Sequence, residues 1–154
     1  MSGSWPVLNP DKNLLKKDLV ILNKLVTGGN SKTKLKRGDV VTFRSPTNPG
    51  DVLVKRIVGM PGDLVKPIKH DSAASGSALA HFHKDQVLPE FLQIPPGHCW
   101  VEGDEGFHSI DSNTFGYIPL GLVIGKASFV VYPLSNFGSI KSFIPDWKLS
   151  RISR

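Results

Sequence analysis

A single cysteine in 154 residues, Cys99, excludes an internal disulfide framework. It stands between His98 and Trp100 in an apolar stretch, where a small buried hydrophobe is a better reading than a nucleophile. No run approaches the roughly 18 apolar residues that a membrane-spanning helix needs. The first residues lack the basic-then-apolar order of a secretory signal, so the chain as it stands reads as soluble or peripheral. Five histidines and one cysteine show no zinc-ligand spacing, which leaves no metal site and no cofactor to expect. No aromatic residue interleaves with the basic run Lys32 to Arg37, so a nucleic-acid partner is not expected. No internal repeat is present.

Acidic residues are scarce in the first half. Residues 1–70 carry thirteen Lys/Arg against five Asp/Glu, a balance of +8, and the remainder balances at −2. Such a basic half suits an anionic membrane surface, or equally a solvated face that keeps the chain in solution. What the chain has in quantity is punctuation: 12 prolines and 15 glycines, as in folds of short strands and many turns. With 40% hydrophobic and 21% charged residues, its composition is that of one globular domain with a real core.

Ser2 to Pro10 reads as extended, because Pro6 and Pro10 disfavour helix just before them. Strands are expected at Asp18–Asn23, Val40–Arg44 and His98–Glu102, with Arg37-Gly38-Asp39 turning into the second and Pro95-Pro96-Gly97 into the third. Ser45 to Gly50 is a loop between two strands, and Leu64 to Ile68 continues as a strand after the turn at Pro61-Gly62. Residues 69–87 are small and polar and read as an exposed insertion before regular patterning resumes at Phe91. Gly103 to Gly106 turns the chain out of the third strand, and Leu120 to Tyr132 holds two strand segments around Gly125. The domain so drawn spans residues 1–133. The tail, 134–154, is polar with isolated Phe137, Phe143 and Trp147, which dock on the body. The expected fold is mostly β, a single domain of coiled or barrel-like sheets.

The richest stretch is Val52 to Asp63, which sets a lysine inside a β-branched and aliphatic run. Strand side chains alternate, so Lys55 shares a face with Leu53 and Ile57, while Arg56 joins Val54 and Val58. Met60-Pro61-Gly62-Asp63 then has the Pro and Gly of a type II turn. An ammonium among aliphatic groups loses hydration, and each unit by which its pKa falls below ~10.4 costs about 1.4 kcal/mol. Such a lysine can be neutral near pH 7 and accept a proton. An edge-strand lysine that snorkels to water fits the same pattern. A lysine base needs a hydroxyl within reach, and the serines outside the loose insertion are Ser2, Ser4, Ser45, Ser109 and Ser112.

Four segments, in order, resemble the signal peptidase I family of Ser/Lys proteases, within it the mitochondrial inner membrane peptidase subunit 2 branch. Ser2-Gly3-Ser4-Trp5-Pro6-Val7-Leu8-Asn9-Pro10 resembles the nucleophile box, which ends in Leu-Asn-Pro in that branch. Arg37-Gly38-Asp39-Val40-Val41 resembles the Arg-Gly-Asp strand box, and Lys55 to Asp63 the lysine box. Gly97 to Asp104, followed by Ser109-Ile110-Asp111-Ser112 and Phe115-Gly116, resembles the last box. The likeness covers roughly residues 2–133, and the lysine and last boxes carry most of its specificity.

The resemblance implies antiparallel sheets and a serine endopeptidase that removes sorting sequences from precursors bound for the mitochondrial intermembrane space. Lys55 is then the general base, Ser109 the hydroxyl that orients it, and Asp111 the holder of the surrounding loop. The first box departs from the usual Ser-Met-x-Pro, because three residues before Pro6 stands Gly3. A one-residue deletion makes Ser4 the nucleophile and Ser2 an oxyanion-hole hydroxyl. The family's membrane-spanning helix precedes this box, so the anchor is expected to be missing from these residues. The implied partners are precursor proteins, a sister peptidase subunit in a heterodimer, and the inner membrane surface facing the intermembrane space. The alternative implied by the altered box is an inactive member that serves as an interaction subunit. A self-cleaving regulator of the repressor type would need a helix-turn-helix ahead of the protease domain, and none fits.

Overall fold

The computed structural model describes residues 19–24, 34–68, 90–104, 110–132, 134 and 137–154. The chain order is β1 (Leu19–Asn23), β2 (Val40–Arg44), β3 (Val52–Gly59), β4 (Leu64–Val65), β5 (Leu92–Gln93) and β6 (His98–Glu102). A single helical turn, α1 (Ser112–Phe115), follows, then β7 (Ile118–Pro119), β8 (Val123–Tyr132), β9 (Gly138–Ser139), a second turn α2 (Asp146–Leu149) and β10 (Ile152–Ser153). The expected mostly-β fold is therefore the observed one. Every strand pair is antiparallel: a seven-stranded sheet ordered β1-β8-β2-β3-β6-β7 with β9 on β8, and a three-stranded sheet ordered β10-β4-β5.

The strands expected near residue 20 and at Val40 and His98 are present, and the first is described from Leu19 onward. Ser45 to Gly50 closes the β2–β3 hairpin, with Ser45 N–H donating to Asp51 O at 2.9 Å and Ser45 Oγ accepting from Thr47 N and Asn48 N. The turn after β3 is also as read: Gly62 has φ +90°, and Asp63 N–H reaches Met60 O at 3.0 Å.

Two expectations need correction. Leu64 to Ile68 yields a strand only at Leu64–Val65. Pro67 has no N–H for a ladder, and Ile68 N–H turns to Asn113 Oδ1 at 2.8 Å. Leu120 to Tyr132 is not two strands around Gly125 but a 3-10 turn (Leu120–Leu122) and one continuous strand, β8. Gly125 lies opposite Thr42, and a Cβ there would stand 3.1 Å from Asn23 O, so the glycine admits β1 closely rather than breaking the strand.

Alternation along β3 divides the interior. Ile57 packs with Val41, Phe43, Cys99, Val101, Phe115, Ile118 and Val123 on one face. Val58 packs with Val65, Ile94 and Trp100 on the other, beneath the small sheet. Each such fully buried side chain contributes about 1.5–3 kcal/mol. Cys99 is buried in the first core, and burial pushes its thiol pKa up to about 12, as befits a hydrophobe rather than a nucleophile. Beyond residue 133, β9 pairs with β8 and β10 with β4. Phe137 meets Phe129 edge-on, and Phe143 lies over the Arg56 guanidinium at 4.6 Å. Among the described residues, no helix is long and apolar enough to cross a membrane. The insertion expected at 69–87 lies outside the described residues.

Candidate active site

Lys55 lies in mid-β3, directly opposite Val41 and on the face of Leu53 and Ile57. It is half-buried. Burial lowers its pKa from the ordinary lysine value, and the charge of Lys148 lowers it further, while the carboxylates of Asp111 and Asp104 work the other way. The β3–β6 register pairs Arg56 with Glu102. Extended by one residue, it brings Lys55 level with Gly103, where β6 ends.

Asp111 caps α1 and ties that turn to the end of β6. Its Oδ1 accepts from Asn113 N at 3.0 Å and from Asn113 Nδ2 at 3.2 Å, and its Oδ2 accepts from Gly103 N at 3.0 Å. The structure thus brings two of the singled-out residues, Lys55 and Asp111, into one electrostatic neighbourhood. Ser2, Ser4 and Ser109 lie outside the described residues. The other two serines are occupied structurally. Ser112 is fully buried with Oγ accepting from Val101 N at 2.9 Å, and the buried Ser45 shapes its hairpin. His98 faces the Tyr117 ring, with Nδ1 2.9 Å from Pro96 O, and no group of three His, Cys, Asp or Glu among the described residues could hold a metal ion.

Arg56 faces away from Lys55 and is 1% exposed. Its Nε and Nη2 form a bidentate pair with Asp104, both bonds 2.8 Å, and Nη1 donates to Gly38 O and Lys141 O at 2.8 and 3.0 Å. A buried guanidinium is tolerated only when each donor is so matched. The Arg-Gly-Asp segment supports the same region. Arg37 Nε donates to Asp63 Oδ2 at 2.6 Å and Nη2 to Oδ1, while Asp63 Oδ2 also accepts from Met60 N at 2.8 Å. Burial alone would raise the Asp63 pKa, but the Arg37 hydrogen bond prevails and holds it low. Gly38 has φ +88°, and a Cβ there would fall 2.9 Å from Phe143 N. Asp39 accepts from Ser142 Oγ at 2.5 Å and pairs with Lys126 at 2.8 Å.

Sequence reasoning missed a second charged layer. Glu102 is 2% exposed, and its Oε1 accepts from Trp100 Nε1 at 3.0 Å and Asn113 Nδ2 at 3.2 Å. Its Oε2 meets Arg151 Nη2 at 2.6 Å and Lys148 Nζ at 3.6 Å. Burial would raise the Glu102 pKa, but Arg151 chiefly, with Trp100 and Lys148, brings it below the usual range. Lys148 Nζ also donates to Gly103 O. Glu102 stood in plain sight at the end of its strand. Lys148 and Arg151 carried no signal, because a polar tail gives no sign of which cation it buries.

Comparison with known proteins agrees with this architecture. Residues 3–132 match the family described as signal peptidase, peptidase S26. The mitochondrial inner membrane protease subunit 2 of Saccharomyces cerevisiae is 42% identical over 145 residues, covering 94% of this chain and 68% of that protein. The Schizosaccharomyces pombe protein of the same name is 41% identical over 137 residues, covering 88% and 63%. The Saccharomyces cerevisiae protein named mitochondrial inner membrane protease subunit 1 is 36% identical over 97 residues, covering 60% of this chain and 47% of that one. The chain thus spans about two thirds of the length of the subunit 2 relatives, 68% and 63% in these two cases. With its half-buried strand lysine, its braced Gly103 turn and these matches along most of its length, the chain belongs to the signal peptidase (peptidase S26) family, in the branch of mitochondrial inner membrane protease subunit 2.

Proposed function

We propose that this chain is a serine endopeptidase of the mitochondrial inner membrane that removes sorting sequences from precursors bound for the intermembrane space. The observation that carries the reading is Lys55, half-buried on the apolar face of β3 with its pKa lowered by that burial. A lysine so placed can act as a general base toward a hydroxyl, and Ser4 is that hydroxyl in this reading. Neutral Lys55 takes the proton of Ser4 Oγ as the oxygen attacks the scissile carbonyl. The oxyanion is met by the Ser4 N–H and the Ser2 hydroxyl. Ammonium Lys55 then protonates the departing amine, and the acyl-enzyme forms. Water, deprotonated by Lys55, releases the acyl group and restores Ser4. Ser109 orients the lysine, and Asp111, bound to Gly103 N and Asn113, holds the loop. The names of the relatives, subunits 1 and 2 of one protease, support a sister subunit as partner and the inner membrane as location.

The test is cleavage of a translated precursor carrying a sorting sequence, with the sister subunit present, by the unmutated chain and by Lys55→Ala, Ser4→Ala and Ser2→Ala. Loss of cleavage in the first two and partial loss in the third is expected. Cleavage that survives Lys55→Ala overturns the base assignment. Gly3, standing three residues before Pro6, favours one second reading, a folded but inactive interaction subunit. Absence of cleavage by the unmutated, folded chain would select it.

A further inference from the structure

The last 22 residues lie beyond the segment that matches the family, 3–132, yet they deliver a fully buried lysine to the candidate site. Lys148, on α2, donates from Nζ to Gly103 O, stands 3.6 Å from Glu102 Oε2 and lies over the Trp147 ring at 5.0 Å. Gly103 is the junction of the site. Its N–H donates to Asp111 Oδ2 at 3.0 Å, its carbonyl accepts from Lys148, and the next residue, Asp104, grips Arg56. The turn beside Lys55 is therefore held by Asp111 from within the family segment and by Lys148 from the tail.

We propose that Lys148 is a positioning residue for Lys55, bracing the Gly103–Asp104 turn and offsetting with its positive charge the carboxylates of Asp104 and Asp111. The proposal rests on the reading of Lys55 as the base. Asp104 and Asp111 favour the protonated form of Lys55, and Lys148 opposes them. Burial sets the Lys148 pKa below the ordinary lysine value, with Arg151 acting the same way and Glu102, Asp104 and Asp111 against it. The contacts of Lys148, the Gly103 carbonyl and the Glu102 carboxylate, are acceptors that favour its ammonium form, and Arg151 holds Glu102 ionised.

Two measurements on the full chain test this. The first is the pH profile of kcat/KM for precursor cleavage by the unmutated chain, Lys148→Met and Lys148→Arg, beside the ¹⁵Nζ titration of the lysines. Without the Lys148 charge, Lys55 binds its proton more tightly, so the acidic limb and the Lys55 titration both move to higher pH. For Lys148→Met, kcat is expected to fall roughly three- to tenfold at neutral pH with KM little changed, and to recover at alkaline pH. Lys148→Arg, which keeps the charge, restores the original limb. A loss equal at every pH, with the Lys55 titration unmoved, marks a merely structural residue and overturns the proposal. The second measurement needs no variant and decides the matter if Lys148→Met does not fold: in the unmutated chain, Lys148 must keep its proton while Lys55 loses its own. Loss from Lys148 first overturns the proposal. Lys55→Ala, run alongside, separates this from failure of the peptidase reading, since cleavage surviving there refutes the base while the nitrogen titrations still decide the action of Lys148 on Lys55.

Discussion

Gly38→Ala is the most revealing single change outside the charged groups. Gly38 has φ +88°, a conformation that costs an L-residue about 1–2 kcal/mol. Its new Cβ would also stand 2.9 Å from Phe143 N and 3.0 Å from Ser142 C, backbone atoms that cannot swing aside like the end of a side chain. Overpacking of that kind costs about 1–3 kcal/mol, so the total is about 2–5 kcal/mol. Gly62 is the internal control. It has φ +90° but nothing within 4 Å of a Cβ, so Gly62→Ala carries the backbone cost alone. In urea melts, Gly38→Ala should exceed Gly62→Ala by about 1–3 kcal/mol with an unchanged m-value. In thermal melts, at about 2–4 °C per kcal/mol, the gap is roughly 2–12 °C. Gly38→Ala should also weaken cleavage, because it displaces the segment whose Lys141 O and Phe143 ring hold Arg56. Equal destabilisation by the two substitutions would refute the close approach of residues 142–143 to the Arg-Gly-Asp turn.

Arg56→Met should destabilise by about 3–5 kcal/mol, because it leaves Asp104 with a lost partner in a site 17% exposed. Adding Asp104→Asn should cost less than the sum of the singles, and strict additivity in that double-mutant cycle would show the pair to be uncoupled. Stability should fall as pH drops into the carboxylate range: Asp63 and Glu102 have depressed folded pKa values, so their contribution is full above the unfolded values of about 4 and is lost as pH falls through the folded ones. Glu102→Gln should flatten that acid dependence in melts at stepped pH, and an unchanged slope would discount the Arg151 pair. Lys55→Met should abolish cleavage yet raise Tm at neutral pH. A lysine whose folded pKa lies below its unfolded one opposes folding while charged and relents as pH rises, so the variant should also lose the gain in stability seen toward alkaline pH. A lower Tm for Lys55→Met would contradict the desolvation account.

What could be read directly from the chain was whatever depends on neighbours in sequence. Alternation put Lys55 with Leu53 and Ile57 and Arg56 on the opposite face, as observed, because strand geometry leaves no other choice. The turns at Arg37-Gly38-Asp39 and Pro61-Gly62 were legible for the same reason, their backbone demands being local. Gly125 misled because a glycine that breaks a strand and one that lets a neighbouring backbone approach look alike until the neighbour is known. The extent of burial was never local. Val54 and Arg56 share a face, yet Val54 is 38% exposed and Arg56 1%, since Lys141, Phe143 and Asp104 close over only one of them. Lys148 and Lys141 look alike in the polar tail, and only the packing of α2 against the end of β6 chose one of them to lose its water and face Glu102. Desolvation and charge pairing act through space, so the sequence alone determined the strand, its faces and the family boxes, while the tertiary structure decided which charges are dry, which are matched, and how the tail reaches Gly103.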